Sequence, residues 1–520
     1  MRNCLPVERK YSLIALLLLT TSAALWAQEP ASTPPASTSD AMKETVQELQ
    51  RQIGELRQAV ADVRSEATQY RAETAELRHE LEILRSQSTS VPSPSNPPQT
   101  TNAQAGEQAP ATHSLEKRVA SLEETSQLLD SKLNDQYQTK VESASKYRVR
   151  LSGIVLMNLF SNRGQTDNQD FPSFVTGPNL NGNFGATLRQ SEIGLEVFGP
   201  TLAGAKTSAN LQADFAGGFP NTWNGVDSGI FRLRIASARL DWDRTSIVAG
   251  QDDLFISPLS PTSLASLAVP AFNYAGNLWA WTPQLRVEHR FDLSDRQSVL
   301  IQGGIFDNLT GSFPANSYFR SPEAGEQSNQ PAYGVRFAWT NNFLGRPLTL
   351  GAAGYYSRQD WEFDRYSDGW SGMTDWSIPL TNWLGFSGEF YRGRAIGGIG
   401  GGISRSAVFN GNPTDPTTSI RGIDSIGGWS QFKFKANSKL EFNAAFGLDN
   451  PEASELRFGA ASQAYVGPLL AQNRSAFVNF IYRPRSNLLF STEYRFLQSF
   501  PLYQPNETAD QVNVMMGVLF

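Results

Sequence analysis

The chain has 520 residues, a hydrophobic content of 40%, a mean hydropathy of −0.35 and a formal net charge of −6. After the N-terminal segment no run approaches the roughly 18 apolar residues of a membrane helix, which excludes a helical membrane protein. No basic face points to nucleic acid as a partner. The 42 Gly, 31 Phe, 15 Tyr and 11 Trp are typical of a membrane β-barrel, with its tight turns and aromatic girdles.

Residues 1–27 have the pattern of a secretory signal peptide. A basic start is followed by the apolar run 13–19 and by small residues, with cleavage expected after Ala27 or, less favourably, after Ala24. The apolar run is too short to span a bilayer, so an uncleaved anchor is the weaker interpretation. The single cysteine, Cys4, would leave with this peptide, which excludes disulfides, thiol catalysis and cysteine-based metal sites from the mature chain.

The next region predicts a rod joined by flexible segments. Residues 28–42 are rich in Pro, Ala, Ser and Thr and read as a flexible lead. Residues 43–85 carry apolar side chains at spacings of three and four over about six heptads, which predicts a coiled coil. A lone amphipathic helix is the alternative, and the pattern does not fix dimer against trimer. Residues 86–112 form a Pro/Ser/Thr-rich linker, and 113–140 a second, shorter coiled coil.

From Tyr147 the hydrophobic period changes to two, which predicts an all-β transmembrane barrel over 147–520. Val335 and Phe337 share one face, for example, whereas Arg336 lies on the other. A soluble β-sandwich also alternates, but it rarely places so many aromatic residues on one face. The connectors predict about 16 antiparallel strands. These are 147–160, 185–199, 204–215, 230–243, 245–254, 284–292, 298–308, 332–341, 347–359, 373–380, 383–394, 424–436, 439–449, 473–484, 486–497 and 511–520.

Short turns alternate with long connectors, which predicts periplasmic turns and external loops. The long ones are 161–184, 216–229, 255–283, 309–331, 360–372, 395–423, 450–472 and 498–510. Loop 255–283 is apolar for an exposed segment, so it either folds into the lumen or forms a trimer contact. The parity of the apolar residues flips within 185–199 and 230–243, which a β-bulge in each would explain.

The C-terminal strand combines a closing edge with an assembly signal. Alternate residues from Val512 to the final Phe520 share one face. Pairing of this strand with the first would leave no free edge. The pattern resembles the C-terminal signal that the barrel assembly machinery of the outer membrane reads. The signal residues are Val514, Met516, Val518 and Phe520.

The whole arrangement resembles the DcaP-type trimeric outer-membrane porins. The likeness rests on the order of signal peptide, coiled coil, linker and barrel, and on the segments 147–153, 189–195 and 249–253. It implies a 16-stranded homotrimer that takes up small, often anionic, organic acids and whose long external loops narrow the pore. In this chain the barrel's cations are mixed with carboxylates, so its bulk charge gives no anion preference.

Strand parity selects the candidate solute pathway. The residues predicted to line the pore are Arg232, Arg234, Arg286, Glu288, Arg290, Arg336, Lys433, Lys435, Arg483, Glu493 and Arg495. Fixed charges in a narrow pore attract counter-charged solutes, although the same residues could instead only stiffen the wall. The predicted function is passive diffusion of small hydrophilic solutes, including small organic anions such as dicarboxylates. The alternatives are a structural protein with a plugged pore and, less favoured, a barrel-embedded enzyme.

An enzymatic role finds little support in the sequence, which predicts no cofactor and no metal. Of the three histidines, His79 and His113 belong to the rod and linker, and His289 faces outward by parity. The acidic residues from Asp360 to Asp368 are candidate Ca²⁺ ligands, but their spacing does not match that of an EF-hand. A solvated acidic loop is therefore the favoured interpretation. The expected location is the outer membrane, with the rod in the periplasm, and the expected partners are lipid, lipopolysaccharide, the assembly machinery and small solutes.

Overall fold

The computed structural model describes residues 148–177, 182–219, 229–311, 320–343, 345–459 and 469–520. The predicted signal peptide, both coiled coils and the linkers lie outside these residues and stay predictions. Within them, no helix combines the length and the apolarity that crossing a membrane requires.

A closed antiparallel barrel makes up almost all of the described chain. Its wall strands are β1 (Arg148–Arg163), β4 (Asn183–Thr187) with β5 (Glu192–Leu202), β6 (Ala205–Asp214), β7 (Arg232–Asp241), β8 (Thr245–Asp253), β9 (Trp281–Ser294), β10 (Gln297–Phe306), β11 (Ala332–Phe343), β12 (Arg346–Asp360), β13 (Tyr366–Pro379), β14 (Leu384–Arg394), β17 (Asp424–Lys435), β18 (Leu440–Pro451), β19 (Leu470–Arg485), β20 (Leu488–Pro501) and β21 (Glu507–Leu519). Because β4 and β5 both pair with β1, they form one wall strand, and the 17 strands of the sheet make the predicted 16-stranded wall.

Smaller elements lie in the connections. Two short hairpins pair β2 (Gln165–Thr166) with β3 (Val175–Gly177) and β15 (Ala407–Phe409) with β16 (Ile420–Gly422). Single helical turns are α1 (Ala324–Gln327), α2 (Gly401–Ser404) and α3 (Ala453–Leu456), with a 3-10 turn at Gly397–Ile399.

The last strand closes the barrel on the first, as the sequence predicts. β21 pairs with β1 from Ile154 opposite Leu519 to Arg163 opposite Asp510. The final residue adds two backbone hydrogen bonds to Gly153, with N···O distances of 3.0 and 3.1 Å. Closure leaves no unpaired wall edge.

The two expected β-bulges are present. Between β4 and β5 the ladder is interrupted, and Arg189, Gln190 and Ser191 are buried there. Between β6 and β7 the register shifts by one residue, which leaves Arg234 as the extra residue. A bulge aims consecutive side chains at one side of a sheet, and this one places Arg234 beside Ile235 on the inner face.

The two faces of the wall differ as the alternation predicts. On the outer face Phe337 and Val478 are 50% and 54% exposed, whereas Arg336 and Asn479 on the inner face are each 5% exposed. The outside of the barrel is therefore apolar and its inside polar, an arrangement suited to a lipid exterior.

Two connections are much shorter than the sequence predicts. Residues 361–365 join β12 to β13, and 502–506 join β20 to β21, because the strands extend beyond the predicted boundaries. Asp368 consequently lies in β13 rather than in an external loop, and its carboxylate accepts a hydrogen bond from Tyr356 at 3.2 Å. The predicted acidic loop is thus divided among the end of β12, a five-residue turn and the start of β13.

Candidate constriction and solute pathway

The segment 254–280, which joins β8 to β9, is folded into the barrel. Phe255 stacks on Phe306 of β10 with ring centroids 5.0 Å apart. Farther along, Phe272 packs against Phe477 of β19 at 5.1 Å. We name 254–280 the inner loop. Of the two sequence-based explanations for its apolar residues, the structure supports folding into the lumen.

A third apolar contact ties the inner loop to the seam where the barrel closes. Ala265 packs in one buried cluster with Ile154 and Leu156 of β1, and with Met515 of β21. The inner loop therefore contacts wall strands on several sides of the lumen. Its apolar side chains find their cover on the inner faces of those strands.

Glu389 of β14 is one of the polar side chains that hold the inner loop. Its carboxylate accepts hydrogen bonds from Ser257 Oγ at 2.6 Å and from the Leu259 backbone N–H at 2.8 Å. The Trp429 indole donates to it at 3.4 Å. No cation forms an ion pair with Glu389 among the described residues, so its carboxylate serves to hold the inner loop against the wall. We call a wall side chain that holds the inner loop by hydrogen bonds a clamp.

Gln190, in the β4–β5 bulge, is a second clamp and is fully buried. Its side-chain oxygen accepts from the backbone N–H of Leu267 at 2.9 Å and of Ala268 at 3.2 Å, while Nε2 donates to the Ala265 carbonyl at 3.1 Å. Three bonds from one amide satisfy both its acceptor and its donor. Sequence parity missed this residue because the bulge interrupts the alternation.

The opposite wall holds the tip of the inner loop. Asn479 of β19 donates to the Thr262 carbonyl at 2.9 Å, and Gln431 of β17 accepts from the Thr262 N–H at 2.6 Å. Ser263 Oγ donates to Glu493 of β20 at 2.6 Å. Inward parity alone identifies these wall residues as lumenal but does not say that the loop is their partner.

The inner face carries a network of ion pairs that spans several strands. Arg286 contacts Glu288 at 2.7 Å and Asp252 at 2.8 Å. Arg336 forms a bidentate pair with Asp375, with N···O distances of 3.0 and 2.7 Å. Gln302 joins the two groups, since Nε2 donates to Glu288 at 3.0 Å and its oxygen accepts from Arg336 at 2.9 Å. This network extends across the inner face from β8 to β13.

Two further arginine groups are paired with carboxylates. Arg495 contacts Glu493 at 2.6 Å, and both side chains are almost completely buried. Arg232 contacts Asp214 at 2.6 Å, while Arg234 forms an ion pair with Glu192. These cations are neutralised locally rather than presented as a positive ladder.

The remaining predicted residues lie at the short-turn end of the barrel. Arg483 contacts Glu441 at 3.4 Å, and Arg290 contacts Asp292 at 3.1 Å, with more than a third of each arginine side chain exposed. The ammonium groups of Lys433 and Lys435 have no carboxylate within 4 Å in the described part of the chain.

The phenol of Tyr274, in the inner loop, adds no charge to the site. Burial raises the pKa of the Tyr274 phenol in the inner loop, so this hydroxyl stays neutral in the lumen. Its ring packs on Phe174, with the ring centroids 5.7 Å apart.

Among the described residues, no group of three or more His, Cys, Asp or Glu side chains is placed to hold a metal ion.

No protein-family model matches the chain, and no curated protein matches it in sequence. The crystal structure of the outer membrane channel DcaP of Acinetobacter baumannii matches with a TM-score of 0.55 and 16% identity, covering 73% of this chain and 99% of that one. The barrel has the fold of the DcaP channel. This agrees with the resemblance drawn from the sequence.

Other solved porins match at lower scores. The anion-selective porin from Comamonas acidovorans has a TM-score of 0.44 and 11% identity, covering 72% of this chain and 100% of its own. Salmonella typhi OmpF in complex with daunomycin has a TM-score of 0.43 and 15% identity, covering 74% of this chain and 100% of its own.

Proposed function

We propose that the chain is an outer-membrane porin through which small hydrophilic solutes diffuse passively. One observation carries this proposal: a closed barrel with an apolar exterior holds a loop across its polar lumen by hydrogen bonds from several wall strands. Such a loop narrows a channel to a sieve for small solutes. An unconstricted barrel of this size would leave a wide aqueous channel.

We infer that any preference for small organic anions, such as dicarboxylates, rests on two lysines. Of the nine cations predicted to line the pore, the seven arginines each have a carboxylate within 4 Å. Lys433 and Lys435 have no carboxylate within 4 Å among the described residues, so anions would meet their positive charges at the short-turn mouth.

The outer face of β6 to β8 supports a homotrimer. Ala209, Ala238 and Ala249 are paired directly across these three strands, so this part of the wall is smooth. Elsewhere the outer face carries large rings, such as Phe386 against Phe432 at 4.9 Å. Small residues allow a second wall to approach closely, whereas aromatic rings suit a lipid interface. We therefore propose the β6–β8 face as the contact between subunits.

The proposal also includes the periplasmic rod, the assembly signal and the lipid surroundings of the barrel. The heptads of 43–85 and 113–140 would form a periplasmic rod that strengthens the trimer. The terminal residues Val514, Met516, Val518 and Phe520 would direct the chain to the assembly machinery. Lipid and lipopolysaccharide would surround the exterior.

We propose no catalytic activity. His289 lies on the outer face, where its Nδ1 is 2.8 Å from Thr245 Oγ1 and its ring is 4.4 Å from Phe291. A catalytic histidine needs a nucleophile or acid partner at a substrate site, and this neighbourhood faces away from the lumen.

Single-channel recording of the mature protein in a planar bilayer under a salt gradient tests the proposal. We expect conductance steps in groups of three. In the Lys433→Gln/Lys435→Gln double variant the reversal potential should shift in the direction of greater cation selectivity. Lys439→Gln, in the exposed turn before β18, removes a cation outside the lumen and should change the potential little. Insertion without conductance would contradict the porin and support a structural protein with a plugged lumen.

A further inference from the structure

A cavity of about 440 Å³ lies between the inner loop and the ends of β7, β8 and β9. This volume is within the range of small-molecule sites. Hydroxyl side chains and prolines of the inner loop form much of its lining, together with Trp279 and Trp281. Among the described residues that line it, only Arg234 and Asp253 are charged.

The positive charge of Arg234 is already compensated. Its guanidinium forms an ion pair with Glu192, and its Nε lies 3.8 Å from Asp214. The same group stacks on the Trp281 ring at 4.5 Å. Arg232 is likewise held by Asp214 and lies 5.0 Å from that ring. A solute carboxylate would therefore have to displace existing partners to reach either arginine.

Asp253 presents a carboxylate that no cation contacts directly, although the charges of Arg234 and Arg286 act on it from beyond 4 Å. Asp253 is exposed and lies opposite Trp281 in the pairing of β8 with β9. No Arg or Lys nitrogen lies within 4 Å of it in the described ranges. Arg232 and Arg234 face the carboxylates of Glu192, Asp214 and Asp253, and Arg286 faces those of Asp252 and Glu288. Carboxylates therefore outnumber these guanidinium groups beside the cavity.

The aromatic lining adds to this preference for cations. Trp279 is half-buried at the cavity and meets Trp281 edge-on, with ring centroids 5.2 Å apart. Both faces of an indole ring attract cations, most strongly where water is partly excluded. Apolar loop residues such as Leu264 would cover the methylene groups of a short chain.

We infer that this cavity is a binding subsite for small solutes that carry a protonated amine. The ammonium group would contact Asp253, its alkyl chain would lie against Trp279, and loop hydroxyls would bind any polar tail. As a transport property this rests on the proposed porin function, whereas binding itself does not. The subsite would favour amines over the anions that Lys433 and Lys435 attract at the other mouth.

Isothermal titration of the refolded full mature chain in detergent micelles tests the subsite. The probes are butane-1,4-diamine, butane-1,4-diol and succinate, which share a four-carbon length and differ in charge. We expect the diamine to bind more tightly than the diol and succinate. Asp253→Asn should weaken diamine binding about fivefold or more, because the isosteric amide removes only the charge. Trp279→Leu should weaken it as well, by loss of the cation–aromatic contact.

Asp415→Asn is the matched control, since it removes an equal charge from an exposed external loop and should leave diamine binding unchanged. Equal affinities of wild type and Asp253→Asn for the diamine, or tighter binding of succinate, would overturn the inference. Current recordings separate the two proposals. Conductance without diamine binding refutes the subsite alone, and diamine binding without conductance refutes the porin alone.

Discussion

At the scale of single residues, the barrel and its loops stabilise buried arginines in two different ways. Arg495 and Glu493 form a direct ion pair whose side chains are 3% and 0% exposed. Arg365, in the turn 361–365, has no carboxylate partner within the described residues and instead donates to backbone carbonyls. Loss of one partner should therefore have different consequences at the two sites.

Replacing Glu493 by Ala should destabilise the barrel strongly. Arg495 would then be a buried cation without its carboxylate, which costs about 3–5 kcal/mol in comparable sites. Urea unfolding of the refolded protein in bilayers measures the change. Glu196→Ala breaks the exposed pair with Arg150 and should cost about 0–1 kcal/mol.

A double variant makes this prediction sharper. Arg495→Met in the Glu493→Ala background removes the buried arginine charge that has lost its carboxylate, and should recover much of the lost free energy of unfolding. If the double variant is less stable than Glu493→Ala, the single-variant effect does not come from an uncompensated arginine.

Arg365→Lys should loosen the external loops as much as Arg365→Ala does. The guanidinium donates to the Glu362 carbonyl at 3.0 Å, to Thr418 at 3.2 Å and to Pro413 at 2.6 Å, so it joins two loops. A lysine ammonium is a single point and cannot reproduce this fork. Limited proteolysis within 410–419 is the measurement, with faster cleavage expected in both variants.

The control for this prediction lies in the same part of the molecule. Arg421 stacks on Phe458 at 4.6 Å but is exposed, so Arg421→Ala should change the cleavage rate little. Unchanged cleavage in Arg365→Ala would mean that other contacts join the loops.

At the scale of elements, the inner loop is held chiefly by wall side chains distant in sequence. Gln190 is one clamp at its middle, through three hydrogen bonds. Gln190→Ala should leave the barrel folded but free this part of the loop, so we expect larger and noisier single-channel conductance. Planar-bilayer recording gives both quantities.

Gln251→Ala serves as the comparison. Gln251 donates to the carbonyls of Leu233 and Arg234 in the wall, not to the inner loop. Its removal should therefore leave the conductance close to that of the wild type. An identical increase in both variants would indicate general loosening of the wall rather than release of the loop.

The period-two pattern predicted the elements better than it predicted their lengths. The strand count, the outward and inward faces and both bulges are as expected, because alternation is a local property of each strand. The connection 361–365 is shorter than predicted, since Gly369 and Gly372 interrupt the apolar pattern of β13 without ending the strand. The connection 502–506 is shorter because β20 continues to Pro501 and β21 begins at Glu507. The assembly of the constriction depends on contacts that no local pattern contains.

At the scale of the whole molecule, we predict separate roles for rod and barrel. Deletion of residues 28–140 should leave a barrel that inserts and conducts, with trimers that dissociate at lower temperature or detergent concentration. Electrophoresis of unheated samples reports trimer stability, and heat-modified mobility reports barrel folding. A deletion variant that fails to insert would contradict this division.

The sequence by itself determined the wall of this protein: sixteen strands, an apolar exterior, a polar lumen and closure of β21 on β1. These follow from period two and from the need to leave no free edge. Only the tertiary structure decided what fills the lumen. Glu389 holds Leu259 across 130 residues of sequence, and lumenal arginines such as Arg336 and Arg495 each have a particular carboxylate partner. Parity says that a side chain points inward, whereas its partner depends on register, barrel curvature and the path of the inner loop.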